Sequence, residues 1–175
     1  MDQDLMQRIK TQWGEKIIQA CGDSGIPPAF IAALIANETG GKADASNLEK
    51  NIYDLFQRVR SGARPHWGAV TQRFLMDYDD EGVANLATSR GLTQICGYNA
   101  VFHKVSPLML SEPDVSLALT VKMFLEFARG FKLDVTKDFE AMLRCWNGGN
   151  PKANTAVPEY VPHGLARMEI YRTLV

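Results

Sequence analysis

The chain has 175 residues, 46% of them hydrophobic and 22% charged, the balance of a globular domain large enough to bury a core without staples. A net charge of −1, with neither a basic block nor a basic patch interleaved with aromatics, argues against nucleic acid as a partner, and no apolar run approaches the roughly 20 residues that span a bilayer. Cys21, Cys96 and Cys145 are odd in number and far apart, and His66, His103 and His163 stand at no metal-ligand spacing, so they are read as core thiols without a disulfide framework and no metal is assigned.

Met1 to Lys10 carries acids where a secretory signal carries bases, and no export signal is read there. Leu5, Ile9, Trp13, Ile17 and Cys21 repeat every four residues and predict a first amphipathic helix ending near Gly22 and Gly25, with Gly14 its weak point. Pro27 and Pro28 suit the first turn of a second helix, where an amide hydrogen would have no intrahelical partner. Ile31, Leu34, Ile35 and Glu38 then fall at i, i+3, i+4 and i+7, so the Glu38 carboxyl shares the stripe that aliphatic side chains use to reach the core. Partial desolvation there raises a carboxyl pKa and lets it hold a proton near neutral pH for delivery to a leaving group. The competing reading is a solvated helix end before Gly40.

Leu48, Ile52, Leu55, Phe56 and Val59 predict a third helix closed by Ser61-Gly62, and Val70, Phe74 and Asp77 a fourth. The acidic run Asp77 to Gly82 reads as a solvated loop. Leu92 to Val105 is mixed and stops at Ser106-Pro107. Leu117, Val121, Phe124, Leu125 and Ala128 define a helix expected to be central, opening at Asp114 or Ser116 and closing near Gly130. Asp138 to Trp146 predicts another, stopped by Asn147-Gly148-Gly149-Asn150-Pro151, and Pro158 onward a last one carrying Leu165, Met168, Ile170 and Tyr171. No strand run stands out and no repeat or linker divides the chain, so the expectation is one all-α domain over residues 1–175 with irregular loops.

Four segments in order resemble the lytic transglycosylase family. Ile31 to Gly41, with Asn37-Glu38-Thr39-Gly40, is similar to the segment in which that family carries its catalytic Glu followed by Ser and Gly. Ser89-Arg90-Gly91-Leu92-Thr93-Gln94-Ile95 resembles its Gly-Leu-Met-Gln stretch, with Thr93 in place of Met. Ala141 to Gly149, with Cys145-Trp146-Asn147-Gly148-Gly149, resembles the Ala-Tyr-Asn-Ala-Gly segment that lines the glycan cleft, with Trp146 in place of Tyr. Glu159-Tyr160-Val161, with Leu165-Ala166 and Tyr171, resembles the closing Glu-Thr-Arg-x-Tyr-Val segment. The departure is length: 53 positions separate Glu38 from Gly91 where the family has a short link, which implies an insertion over about 48–86.

The resemblance implies a lysozyme-like helical domain, with a helical insertion between the catalytic-Glu and Gly-Leu-x-Gln motifs. It implies cleavage of the β-1,4 bond between N-acetylmuramic acid and N-acetylglucosamine in peptidoglycan, with Glu38 as the one catalytic carboxyl, a 1,6-anhydro product and no cofactor. Thr39, Gln94, Trp146, Asn147 and Tyr160 carry over as substrate-binding residues, each with a structural alternative: capping for Thr39 and Asn147, backbone satisfaction for Gln94, core packing for Trp146 and Tyr160. A water-using muramidase like the goose-type lysozymes is the alternative, with Asp77, Asp79, Asp80 or Glu81 activating water; a non-catalytic glycan-binding or virion module is the second. The expected partner is the glycan strand, the expected state a monomer, and the insertion is free to shape the cleft or bind a further partner. Action on the cell wall, in the periplasm or envelope, without an export signal fits a phage lysis or virion-associated protein, with a trimmed bacterial envelope protein as the alternative.

Overall fold

A computed structural model describes residues 1–174, which are 62% helix and 7% strand. Helix α1 (Asp2–Cys21) buries Ile9, Ile17 and Cys21 of the stripe expected from its period, together with Met6 and Gly14, while Leu5 and Trp13 of that stripe are only partly buried. Gly14 faces the last helix, α9 (Tyr160–Thr173); a Cβ there would sit 3.4 Å from the Tyr171 hydroxyl. Helix α2 (Pro28–Glu38) is buried on every side from Ala29 to Ala36, because four alanines let α1 and α9 approach it closely. It is therefore α2, rather than the expected Leu117–Ala128 helix, that forms the centre of the main core. That later helix, α7 (Pro113–Phe131), contributes Leu117, Val121 and Phe124, and the Phe124 ring meets Phe30 of α2 edge-on at 5.0 Å.

The chain also forms short strands that the sequence reading missed. Strand β1 (Ser46–Leu48) pairs antiparallel with β4 (Thr88–Arg90), Ser46 opposite Arg90, and β4 pairs with β5 (Ile95–Cys96), giving a three-stranded sheet in the order β1-β4-β5. Leu48, expected on a helix, lies exposed in β1. Strands of two or three residues give no alternation for a pattern to register.

A long structured segment runs between β1 and β4. It comprises α3 (Lys50–Arg60), a two-stranded hairpin of β2 (His66–Trp67) and β3 (Val70–Thr71), α4 (Gln72–Met76) and α5 (Asp80–Leu86). Phe56, Val59, Val70, Leu75, Val83, Leu86 and Ala87 give this segment an apolar cluster separate from the main core. Val70 is a strand residue, not the start of a helix, and the acidic run is not simply a loop. Asp79 accepts a hydrogen bond from the Gly82 amide at 2.7 Å and so caps α5, while Asp80 pairs with Arg60.

After β5 come α6 (Gly97–Phe102), a 3-10 turn at Pro107–Ser111, α7, α8 (Phe139–Gly148) and α9. Among the described residues no helix is long and apolar enough to cross a membrane. Gly91 links β4 to β5 with φ of 79°, and a Cβ on it would fall 2.0 Å from the Leu110 carbonyl oxygen. The turn thus needs glycine for its conformation and for its clearance. Gly91→Ala is expected to lower stability by more than about 2 kcal/mol, read as a shift in the urea midpoint at constant slope.

Candidate active site

Glu38 ends α2 in a position with few sources of charge stabilisation. The helix C-terminus is the negative end of its dipole, no basic residue lies in the last turn, and the surrounding helix is apolar. The segment that meets it comes from far along the chain. Asn37 donates from Nδ2 to the Tyr160 carbonyl at 2.8 Å, Arg167 donates from Nη1 to Asn37 Oδ1 at 2.8 Å, and Arg167 also pairs with Asp2 at 3.1 Å. This chain of contacts fixes the start of α9 against the end of α2. Tyr160 consequently points its hydroxyl at Glu38 and donates to Oε1.

Burial pushes the Glu38 carboxyl from its ordinary value of 4.5 up to about 7; the Tyr160 hydrogen bond opposes that rise and the negative charge of Glu49 adds to it. The Tyr160 phenol is itself raised, by burial first and then by the adjacent Glu38, so it remains a donor across the physiological range. Because the phenol holds Oε1, the proton that Glu38 carries near neutral pH belongs on Oε2.

Glu38 lines a cleft of about 760 Å³. Gln94, Trp146 and Asn147 line it too, whereas Thr39 and Tyr160 do not. Thr39 lies beneath the floor: its hydroxyl donates to the Leu92 carbonyl at 2.9 Å and accepts from the Gly41 amide at 3.3 Å, tying the end of α2 to the Gly91-Leu92 turn. Gln94 adopts a left-handed φ of 53° and donates from Nε2 to the carbonyls of Ala45 and Gly91 at 3.1 and 3.0 Å. Among the described residues no hydrogen bond reaches its Oε1. Trp146 stacks on Phe124 at 4.9 Å and donates to the Thr93 carbonyl at 3.1 Å, and Asn147 Oδ1 accepts from the Ala156 amide at 2.8 Å.

Thr93, which stands where the resemblance has Met, is fully buried. Its hydroxyl lies 2.7 Å from that of Thr120, which in turn donates to the Ser116 carbonyl at 2.8 Å. The buried polar group therefore has partners on α7, which removes the penalty a lone hydroxyl would carry.

No match emerges when the chain is compared with models of protein families, with curated proteins and with solved structures.

Two features of the cleft were not found from sequence. The first is Glu49, which precedes α3 and lines the cleft together with Glu38. None of the acids named as water-activating alternatives does so: Asp77, Asp79, Asp80 and Glu81 lie outside the cleft, with Asp79 and Asp80 engaged in a cap and an ion pair. Reading Leu48 as helical hid Glu49, since the turn from β1 into α3 is what directs it to the site. The second is the aromatic pair of Trp67, on the β2–β3 hairpin, and Tyr98, on α6. A tryptophan between Pro65 and Gly68, in a stretch too broken for a helix, was the available signal. Cys21, Cys96 and Cys145 are free and buried, and burial pushes each thiol up to about 11.

The opposing influences on Glu38 predict shifts of opposite sign. Carboxyl ¹³C NMR is expected to show Glu38 titrating near pH 7; Tyr160→Phe should raise that pKa, and Glu49→Gln should lower it. Stability follows the same linkage. With the folded pKa above the unfolded one, the contribution of protonated Glu38 is complete below about pH 4.5 and is lost as pH rises through about 7. Glu38→Gln, whose amide oxygen can still accept from Tyr160, should match the parent near pH 4 and exceed it by about 1–3 kcal/mol at pH 8 in chemical denaturation.

Proposed function

We propose that this chain cleaves the β-1,4 bond between N-acetylmuramic acid and N-acetylglucosamine in peptidoglycan, as a lytic transglycosylase with Glu38 as its acid. The observation that carries the reading is the state of Glu38: a carboxyl raised to about 7 in a cleft, held on one oxygen by Tyr160. A general acid needs a pKa near the working pH and a fixed orientation, and both are present. The order of the four segments, from the Glu38 motif to Tyr160, supports the choice of substrate, and Gln94, Trp146 and Asn147 supply amide and aromatic surface at the cleft for sugar rings.

In this reaction Glu38 Oε2 gives its proton to the glycosidic oxygen as the bond to the muramic acid C1 breaks. The sugar's own acetamido carbonyl stabilises the positive charge at C1, so no second protein carboxylate is needed. The Glu38 carboxylate then takes the proton from the C6 hydroxyl as O6 bonds to C1, giving the 1,6-anhydro sugar and regenerating the acid. Tyr160 stabilises the carboxylate between the two steps, because its hydrogen bond favours the charged form. Exclusion of water from C1 favours the internal hydroxyl over hydrolysis.

One observation favours a second reading. Glu49 faces the same cleft and is available to activate water, which would make the chain a muramidase with Glu49 as base. Mass spectrometry of soluble products from isolated peptidoglycan separates the two. Fragments ending in anhydro-muramic acid, one water lighter than reducing ends, are expected, and Glu38→Gln should reduce their release by about 10²–10⁴-fold while remaining folded. Reducing ends that disappear in Glu49→Gln would establish hydrolysis instead. Absence of fragments from folded parent protein would overturn both.

A further inference from the structure

The insertion contributes an aromatic surface to the cleft, and its three-dimensional setting differs from that of the other tryptophans. Trp13 donates its indole N–H to the Gly41 carbonyl at 3.0 Å, and Trp146 donates to Thr93 and stacks on Phe124. Trp67 does neither. Among the described residues its Nε1 has no hydrogen-bond partner, and it makes no parallel stack; its ring contacts are inclined, with Phe56 at 5.7 Å and 62° and with Tyr98 at 5.2 Å and 79°. It is half-buried and lines the cleft that contains Glu38.

Its position is well supported. The hairpin that carries it packs on Phe56 and contributes its own Val70 to the same apolar cluster, and the Arg64 guanidinium donates to the His66 carbonyl at 3.0 Å. Tyr98, on α6, braces the indole edge-on and lines the cleft beside it. An indole whose N–H is uncommitted and whose ring is held by neighbours at an angle has an amphipathic surface ready for a ligand with an apolar face and a polar rim. A pyranose ring has that shape: axial C–H bonds on its faces, hydroxyl and acetamido groups at its edge.

We infer that Trp67, braced by Tyr98, is a sugar-stacking platform through which the insertion extends the Glu38 cleft to bind a further residue of a β-1,4-linked N-acetylhexosamine chain. The inference rests on the glycan reading of this cleft. The platform gives the insertion a role in substrate binding and makes affinity depend on strand length, since only a chain long enough to pass from Glu38 to the hairpin reaches it.

Calorimetric titration with chitotetraose, a β-1,4-linked N-acetylglucosamine tetramer, tests this in a Glu38→Gln background that prevents turnover. Trp67→Leu keeps apolar volume against Phe56 but removes the ring, and it is expected to weaken binding roughly three- to tenfold with thermal unfolding little changed. Trp67→Phe should retain most of the affinity, and chitobiose should bind with little dependence on residue 67. Equal tetramer affinity in the parent and in folded Trp67→Leu would overturn the platform, as would failure of the parent to bind the tetramer saturably. The product analysis on isolated peptidoglycan is independent of this result. Cleavage that depends on Glu38 together with binding indifferent to Trp67 would remove the platform alone, whereas tetramer binding that depends on Trp67 without cleavage would establish the platform and remove the catalytic reading.

Discussion

The seam between the end of α2 and the start of α9 is the constraint on which the candidate site depends. Asn37 holds the Tyr160 carbonyl, Arg167 holds Asn37, and the Tyr160 side chain is thereby presented to Glu38. Gly164 permits the approach, because a Cβ there would fall 2.7 Å from Leu143 and 3.1 Å from the Asn37 amide nitrogen. The outcome is a balance rather than a simple burial: desolvation and Glu49 favour the neutral carboxyl, while the phenol favours the charged one. A carboxyl under such opposed influences can exchange a proton in both directions near neutral pH, which the proposed reaction requires of it twice.

The second half of the site is attached through backbone carbonyls. Thr39 reaches Leu92, Gln94 reaches Ala45 and Gly91, and Trp146 reaches Thr93, so the turn from Gly91 to Gln94 is bonded from three directions. Thr39 and Gln94 thus have a structural role apart from any ligand contact. Each satisfies main-chain groups of a turn that carries a left-handed non-glycine residue and has no room for a side chain at Gly91. The hydroxyl of Thr93 fits the same pattern, since α7 provides Thr120 and Ser116 to receive it.

The segment between β1 and β4 is a small structural unit with its own apolar cluster, joined to the rest through the sheet and through α6. It reaches the cleft at two places: at Glu49, where it begins, and at Trp67, on its hairpin. A segment that departs from the resemblance in length thus forms one wall of the candidate site. The acidic run within it serves local structure, with Asp79 at a helix N-terminus and Asp80 on Arg60.

Local periodicity was enough to locate α1, α2, α7, α8 and α9, because long helices repeat their apolar residues often enough for the pattern to exceed chance. The proline pair and Gly40 bracketed α2 and so set Glu38 at its end, whereas the i, i+3, i+4, i+7 stripe marks no separate core side, since the helix is buried all round. The short strands escaped, since β1 is wholly exposed and β5 has only two residues. Glu49, Trp67 and Tyr98 in the cleft also escaped, although the resemblance names Gln94, Trp146 and Asn147, which line it with Glu38, and places Tyr160 near the catalytic Glu. Tyr160 meets Glu38 across 122 positions of chain, and Glu49 and Trp67 arrive through a turn and a hairpin with no helical or strand period of their own. The sequence by itself determined the longer helices and set Glu38 at the end of one of them, because helix period and helix ends are fixed by neighbours within two turns. Only the tertiary structure decided the partner of that carboxyl, the second acid and the aromatic wall, because each is set by packing between segments that local spacing does not relate.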